Sequence, residues 1–234
     1  MADFILKDLN EVARSLGRAV MFGASDGGAT PAYAYWDETA DLQLDHLADT
    51  EGDIAVNPND AYSHLMVPEL TGPAKHVSYV DGEDPTIEVP VWLADPLLRA
   101  IVAPTANASG GYQRRRPVRY HTLVFFPEQM FYDTPDDAFR TIRYTTADGW
   151  EISDGAPTPA FAAFSTEQTR LLGLSLWAWR AYFSKPPLTF RHGDGGKSID
   201  TITIQICQDS NKPDGHQLYT VGDPADAGIV LDVA

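Results

Sequence analysis

Apolar and polar residues alternate over several stretches of the chain with the two-residue period of β-strands. The segment TIEVPVWL, residues 86–93, places four apolar side chains on one face: Ile87, Val89, Val91 and Leu93. Pro90 falls on the other face and indicates a strand edge or a bulge, because proline cannot donate a ladder hydrogen bond. TITIQIC, residues 201–207, puts Ile202, Ile204 and Ile206 opposite Thr201, Thr203 and Gln205. This second pattern predicts a half-buried antiparallel strand.

Further strands follow from composition and from turn residues. RAVMFG, residues 18–23, and VRYHTLVFF, residues 118–126, are rich in the β-branched and aromatic residues that strands prefer. RTIRYTTADGWEIS, residues 140–153, predicts a hairpin with Asp148-Gly149 at its turn, where a positive φ is needed.

Periodicity also predicts helices. An N-terminal amphipathic helix is capped by Asp3 and has an apolar stripe made of Ile5, Leu9, Val12 and Leu16. LLRAIV, residues 97–102, follows Asp95-Pro96 and ends before Pro104. The longest prediction is STEQTRLLGLSLWAWRAYFSKPP, which opens with Ser165 or Thr166 as the cap and stops before Pro186-Pro187. Its apolar residues would pack on a sheet: Leu171, Leu172, Leu176, Trp179 and Phe183.

Together these elements predict a mainly β (α+β) protein. The expected architecture is an antiparallel β-sandwich or barrel with one flanking α-helix over about 165–184 and long loops. Glycine, proline and aspartate are scattered through the loops and do not mark an interdomain linker. We therefore expect one domain over residues 1–234, with an N-terminal helix or arm and a C-terminal extension.

Composition narrows the function classes. The 234 residues carry 17 Lys and Arg against 33 Asp and Glu, a net charge of −16 that repels DNA and anionic membranes at long range. Cys207 is the single cysteine, which excludes an intrachain disulfide and a zinc site built on several thiolates and fits a reducing cytosol. Without an 18-residue apolar run or a signal-peptide pattern, we expect no membrane insertion and no secretion.

Several motifs suggest chemistry but also have simpler explanations. Gly23-Ala24-Ser25-Asp26-Gly27 has the G-x-S-x-G spacing of a nucleophile elbow, yet Gly28 and Pro31 continue a loop where a helix is required, so a surface turn is favoured. The six histidines, 46, 64, 76, 121, 192 and 216, show no metal-binding spacing.

An acidic run could bind calcium but is more typical of a solvated face; its members are Asp41, Asp45, Asp49, Glu51 and Asp53. The five tryptophans could provide sugar platforms in a carbohydrate-binding or glycoside-hydrolysing β-sandwich, whose paired carboxylates the sequence cannot locate.

The arginine cluster GGYQRRRPVRY places Arg114, Arg115, Arg116 and Arg119 within an otherwise acidic chain. A nucleic-acid patch is one reading. However, Arg116 precedes Pro117 and is biased to extended backbone, so neighbouring side chains point in alternating directions. Because arginine forms planar bidentate contacts with carboxylates, we predict that these four residues pair with acidic groups, either of the same chain or of a neighbouring copy.

The stretch LADTEGDIAVNPNDAYSHLMVPELTGPAKHVSYVDGEDPTIEVPVWLADP, residues 47–96, resembles the tail tube (major tail) proteins of long-tailed bacteriophages. In that family a Thr-Glu-Gly turn opens a strand, a Gly-Pro or similar break follows, and a Gly-Glu turn leads into an alternating strand. The matching residues are Thr50-Glu51-Gly52, Gly72-Pro73 and Gly82-Glu83, followed by residues 86–93. The C-terminal part, KPDGHQLYTVGDPADAGIVLDVA, matches nothing in the family and leaves a terminal arm or inserted loops open.

The resemblance implies a virion structural protein without catalytic residues, cofactor or metal. Its subunits would form hexameric rings that stack into a hollow tube, assembled in the host cytoplasm and located in the virion tail. The implied partners are further copies of the chain, the tape measure protein, and the tail terminator and distal tail proteins. DNA would pass through without specific binding. Stacked acidic subunits would need basic residues at their contact, and we predict Arg114, Arg115, Arg116 and Arg119 in this role. Another ring-forming virion protein, such as a tail terminator or distal tail protein, is the nearest alternative.

Overall fold

The computed structural model describes residues 18–26, 33–57, 61–64, 78–82, 84–92, 118–132, 140–153, 160–185 and 199–232. Within these ranges the chain forms thirteen strands, a 3-10 helix and an α-helix. Strands β1 to β7 are Ala19–Ala24, Gln43–Asp49, Ala55–Asn57, Ala61–His64, Ser78–Gly82, Thr86–Trp92 and His121–Pro127. The 3-10 helix is Glu128–Phe131, and α1 is Thr166–Leu172. Strands β8 to β13 are Thr141–Thr145, Gly149–Ser153, Phe161–Ala163, Leu176–Lys185, Ile199–Cys207 and Tyr219–Val221.

Eleven of the strands form one antiparallel sheet in the order β10-β9-β8-β2-β1-β7-β11-β12-β6-β3, with β13 added beside β11. Strands β4 and β5 pair separately as a hairpin. In the described residues the sheet is an open path that does not close into a barrel. Within the described residues the fold is therefore mainly β and antiparallel with one α-helix, as the sequence predicts, and it is consistent with the sandwich alternative.

The central strands of this sheet are buried on both faces. On the first face, Ala19 and Met21 of β1 share an aliphatic core with side chains of β6 and β12. The apolar residues that these two strands contribute are those singled out by the alternating pattern: Ile87, Val89, Val91, Ile202, Ile204 and Ile206. Since β6 and β12 belong to the same sheet as β1, the sheet folds over and packs against itself in two layers.

The opposite face carries an aromatic core. Val20 and Phe22 of β1 point into it, together with Val124 and Phe126 of β7. Non-strand segments cover this face with buried side chains from the 3-10 helix, α1 and the C-terminal segment: Met130, Phe131, Leu171, Leu172, Ile229 and Leu231. The C-terminal residues up to 232 are thus part of the packed core, and the backbone of Leu42 donates a 3.0 Å hydrogen bond to the carbonyl of Leu231.

The predicted strands are confirmed at 19–24, 86–92, 121–127 and 199–207. The predicted hairpin is confirmed too, and Gly149 at its turn has φ 74°. Pro90 lies beyond the end of β3, which pairs only with residues 86–88, and its carbonyl accepts a 2.9 Å hydrogen bond from the amide of Glu51. N–H and C=O of one residue point to the same side of an antiparallel strand, so the missing proline N–H leaves no ladder bond unmade.

The predicted long helix over about 165–184 is wrong. The cap is correct, because Ser165 and Gln168 form a reciprocal capping box. The helix nevertheless ends at Leu172, and residues 176–185 form strand β11. Leu176 and Ala178 enter the aliphatic core, while Trp177 and Trp179 enter the aromatic core. A strand buried on both faces is apolar at every position, so its two-residue period is invisible and a helical pattern can be fitted to it.

The two other predicted helices, at the N-terminus and over 97–102, lie outside the described residues.

Candidate subunit interface

Of the four arginines predicted to contact a neighbouring subunit, Arg119 lies within the described residues. It is exposed and precedes β7 by two positions. Arg114, Arg115 and Arg116 lie outside the described residues. The surface that can be built from the structure is therefore the one around the start of β7, where Arg119 is followed by Tyr120.

A β-bulge in β11 determines what this surface presents. Ala178 pairs with Leu123 of β7, but Ala181 pairs with His121, so β11 has one residue more than β7 over this interval. Both alanines face the aliphatic core. The two residues between them, Trp179 and Arg180, therefore both point away from that core, since a bulge re-aims one side chain. With strict alternation Arg180 would enter the aliphatic core instead.

Arg180 lies among aromatic rings. Its guanidinium carbon is 4.3 Å from the ring centroid of Tyr120 and 5.8 Å from that of Tyr35. The ring of Tyr120 also meets the ring of Tyr182 edge-on at 6.1 Å. Cys207 pairs with Arg180 across the β11–β12 ladder, so it shares the same outer face. We call these half-buried residues the tyrosine–arginine patch: Tyr35, Tyr120, Arg180, Tyr182 and Cys207.

The guanidinium of Arg180 has no carboxylate or carbonyl acceptor among the described residues, and its Nε is buried without a hydrogen-bond partner. Two carboxylates lie nearby but serve other donors. Asp209 accepts the Tyr35 hydroxyl at 3.0 Å, and Asp84 accepts the side-chain amide of Gln205.

The Tyr35 and Cys207 side chains of the patch carry no negative charge at neutral pH. Burial, reinforced by the hydrogen bond to Asp209, raises the pKa of Tyr35 to about 12. Burial likewise raises the pKa of the Cys207 thiol above its usual value. Both groups are therefore neutral at pH 7, and the cations of this surface are Arg180 and Arg119.

A further cation near the patch, Lys212, is buried and paired within the protein. Lys212 is 3% exposed, and its Nζ lies 4.5 Å from the ring centroid of Trp36 and 4.6 Å from that of Trp179. It forms an ion pair with Glu38, whose backbone adopts φ 65°. Glu38 lies in the loop before β2 and Lys212 in the segment after β12, so the ion pair links these two non-strand segments.

The G-x-S-x-G pattern has a structural role. Gly23 lies inside β1, and a Cβ there would come within 2.8 Å of the Leu47 side chain. The Ser25 hydroxyl donates directly to Asp45, which also accepts from Thr141 at 2.7 Å. A serine nucleophile needs an imidazole base between hydroxyl and carboxylate, and none of the described residues provides it here. The pattern thus marks the end of a strand, which is more buried than the surface turn the sequence favoured.

The acidic run does not converge on one point. Asp45 is buried beside Ser25, Asp49 pairs with His46 at 3.0 Å, and Glu51 faces Arg18 at 3.7 Å. The hydrogen bond from His46 lowers the pKa of Asp49. Among the described residues, no group of three or more His, Cys, Asp or Glu side chains is arranged to hold a metal ion.

Four tryptophans form a continuous buried row, which we call the tryptophan row: Trp36, Trp150, Trp177 and Trp179. None is more than 7% exposed. Adjacent ring centroids are 5.5 Å apart for Trp150 and Trp177, and 5.3 Å apart for Trp177 and Trp179. Trp36 follows at 6.1 Å from Trp179. Every indole N–H of the row donates a hydrogen bond, to Ala40, Asp223, Ser175 and Thr220 respectively. These rings are core residues and cannot serve as exposed sugar platforms in this conformation.

Comparisons with protein-family models, with curated proteins and with solved structures found no match for this chain. Within the described ranges, no helix has both the length and the apolar character needed to span a membrane.

Sequence reasoning missed the tyrosine–arginine patch. Its signal is present in the sequence, where Arg119-Tyr120 and Arg180-Ala181-Tyr182 stand at the ends of two apolar runs. It went unnoticed because the second run was assigned to a helix, which would separate Arg180 from Tyr120. The patch exists only when both runs are adjacent strands.

Proposed function

We propose that this protein is a virion structural protein, a tail tube subunit that self-assembles into stacked hexameric rings around the tape measure protein and later conducts DNA. The observation that carries the proposal is the folding of two parts of the stretch with tail tube resemblance; Gly72-Pro73 and Glu83 lie outside the described residues. Thr50-Glu51-Gly52 forms a bend between β2 and β3, and the alternating segment forms β6 over residues 86–92. Thr50 Oγ1 accepts the Ala19 amide at 2.8 Å and donates to the Gly52 carbonyl at 2.9 Å.

The position of this turn supports a role in shaping the subunit. Thr50 is 2% exposed and forms an isolated antiparallel bridge with Val91 of β6. It thereby joins the end of β2 to the strand that the two-layer packing places opposite β1. A small hydroxyl side chain with two buried hydrogen bonds explains why threonine stands first in the turn.

Charge supports the same proposal. A conduit must let DNA slide, and a wall of carboxylates repels phosphate while both remain hydrated. The net charge of −16 provides this repulsion. The same charge opposes stacking of identical subunits, so assembly requires basic side chains placed opposite the carboxylates of the neighbour.

Another ring-forming virion protein, a tail terminator or distal tail protein, shares these requirements and is the second candidate. It would close into single rings without stacking. The carbohydrate-binding alternative rested on the five tryptophans, and the four of the tryptophan row are buried.

Negative-stain electron microscopy of the purified protein, with class averages that count subunits per ring, tests the proposal. We expect hexameric rings that stack into tubes with a central channel. Single rings that never stack would favour the terminator or distal tail alternative. A strictly monomeric protein at high concentration, measured by analytical ultracentrifugation, would contradict both.

A further inference from the structure

We infer that the tyrosine–arginine patch is a contact surface that binds carboxylates of a second copy of this chain. The inference rests on the proposed function and names the surface through which subunits would assemble. Three observations carry it: the preorganised guanidinium of Arg180, its lack of an internal acceptor, and the acidic character of any neighbouring copy.

The first step is the geometry of Arg180. The bulge in β11 directs the side chain away from the aliphatic core, and the guanidinium lies over the ring of Tyr120, with the ring of Tyr35 farther away. A cation–π contact of this kind restricts the rotamers of a long side chain before any partner binds, which lowers the entropy cost of association. Arginine and tyrosine are also the residues most often found at the energetic centres of protein interfaces.

The second step is the missing acceptor. Within the described residues, two other half-buried or buried cations each have a carboxylate: Lys212 has Glu38 and Arg143 has Glu151 at 2.7 Å. Even exposed Arg170 has Glu167 at 2.6 Å. Arg180 has rings but no anion, although its surroundings are partly desolvated. A partly desolvated guanidinium gains most from a planar bidentate acceptor such as a carboxylate.

The third step identifies the occupant. With 33 acidic against 17 basic residues, a second copy carries a large excess of carboxylates. Exposed examples on the described strands and loops are Asp53, Glu88 and Asp148. Contact between copies through Arg119 and Arg180 would place positive charge where like-charge repulsion between subunits is otherwise greatest. Nucleic-acid phosphate could also bind a guanidinium, but the field of the whole chain opposes its approach.

Cys207 provides a reporter for this contact without any mutation. It is the only cysteine of the chain, it is half-buried, and it pairs with Arg180 across the ladder. Iodoacetamide labelling, followed by intact-mass spectrometry, should be about tenfold slower in assembled protein than in dispersed protein at the same pH, because a contact surface excludes the reagent. Equal labelling rates in tubes and monomers would overturn the inference.

The matched variants are Arg180→Gln and Arg170→Gln. Each removes one positive charge, but Arg170 lies on α1 and its partner is its own neighbour Glu167. We expect Arg180→Gln to raise the concentration needed for assembly by about tenfold or more, and Arg170→Gln to leave it unchanged. Far-UV circular dichroism and a sedimentation coefficient of the dispersed protein show that each variant is folded.

The outcomes separate this inference from the proposed function. If the wild-type protein never assembles, the proposed function fails and the inference falls with it. If it forms tubes while Arg180→Gln assembles normally and Cys207 stays reactive, the inference alone fails. If Arg180→Gln assembles normally but loses affinity for a double-stranded oligonucleotide, the patch binds phosphate and the inference is overturned.

Discussion

Strand β11 joins two regions of opposite character along one face. Its first half carries Trp177 and Trp179, which are fully buried and whose indole N–H groups both donate hydrogen bonds. Its second half carries Arg180 and Tyr182, which are half-buried. Nε of Arg180 is buried there without a hydrogen-bond partner among the described residues, and so is Nδ1 of His121 on the opposite face of the sheet.

Among the described residues, the contrast is between a region whose buried donors are paired and one where a buried donor lacks an acceptor. Buried polar atoms in native proteins are nearly always satisfied, and those that are not call for an explanation. Before the bulge, the indole N–H groups of Trp177 and Trp179 donate hydrogen bonds to side chains of the same chain. After the bulge, aromatic rings lie around the guanidinium of Arg180, and no carboxylate among the described residues pairs with it. Substitutions in the first half should therefore change folding, and substitutions in the second half should change assembly.

The largest effect is expected for Trp177→Ala. Trp177 packs on Trp150, Trp179 and Phe126, so its removal leaves a large cavity in the aromatic core. We expect a loss of about 4 kcal/mol in the free energy of unfolding, which corresponds to roughly 10 °C in Tm for a chain of this size. Urea denaturation followed by far-UV circular dichroism measures it.

Tyr182→Ser is the matched control in the second half of the same strand. Because Tyr182 is half-buried and its ring meets only Tyr120 edge-on, the loss should be about 1 kcal/mol or less. Equal destabilisation by the two substitutions would show that the two halves of β11 do not differ as the structure suggests.

The next largest effect is expected at the Lys212–Glu38 ion pair, which lies beside Trp36 and Trp179 at one end of the tryptophan row. Lys212 has a side chain that is 1% exposed, whereas that of Glu38 is 30% exposed. Glu38→Gln leaves a buried ammonium facing two indoles, and we expect a loss of about 3 kcal/mol. Lys212→Met leaves a carboxylate that can hydrate, and we expect about 1 kcal/mol, mainly from the lost cation–π contacts.

The order of these two values is the test, and chemical denaturation at neutral pH measures both. A greater loss for Lys212→Met than for Glu38→Gln would mean that the desolvation of Lys212 does not dominate this site.

Much of this architecture could be predicted from the sequence. The alternation in residues 86–92 and 201–207 is visible because only one face of those strands enters the core. Gly149 and the Ser165 cap are local signals, since a positive φ and a capping box each depend on a few neighbouring residues. These features need no knowledge of distant parts of the chain.

The remainder depends on which strands become neighbours. Residues 176–179 are apolar on both faces because both faces of this half of β11 are buried in the two cores, and no local pattern reveals that position. The bulge at Trp179 and Arg180 is defined by the register with β7. Lys212 and Glu38 are 174 positions apart, so their pairing is equally invisible in the sequence. The tyrosine–arginine patch and the Lys212–Glu38 ion pair beside the tryptophan row both depend on these long-range pairings.

The smallest expected effect is a pH dependence that arises beneath the tyrosine–arginine patch. His121 is 5% exposed and its ring packs at 5.7 Å from that of Phe183. Burial, with a smaller contribution from the charge of Arg119, lowers the pKa of His121 from 6.5 to about 4. The unfolded chain therefore binds a proton that the folded chain excludes between these two values, and stability falls as pH falls through this window.

Between pH 7.5 and pH 5 we expect His121 to account for a loss of about 2 kcal/mol. Other groups titrate in this range as well, so the informative quantity is the difference between the wild-type protein and His121→Leu, measured by urea denaturation at each pH. Leucine cannot take up a proton, and the pH dependence of the variant should be flatter by this amount. Parallel pH profiles would show that the imidazole is hydrated or protonated in the folded protein. In that event the contrast between the halves of β11 would rest on Arg180 alone.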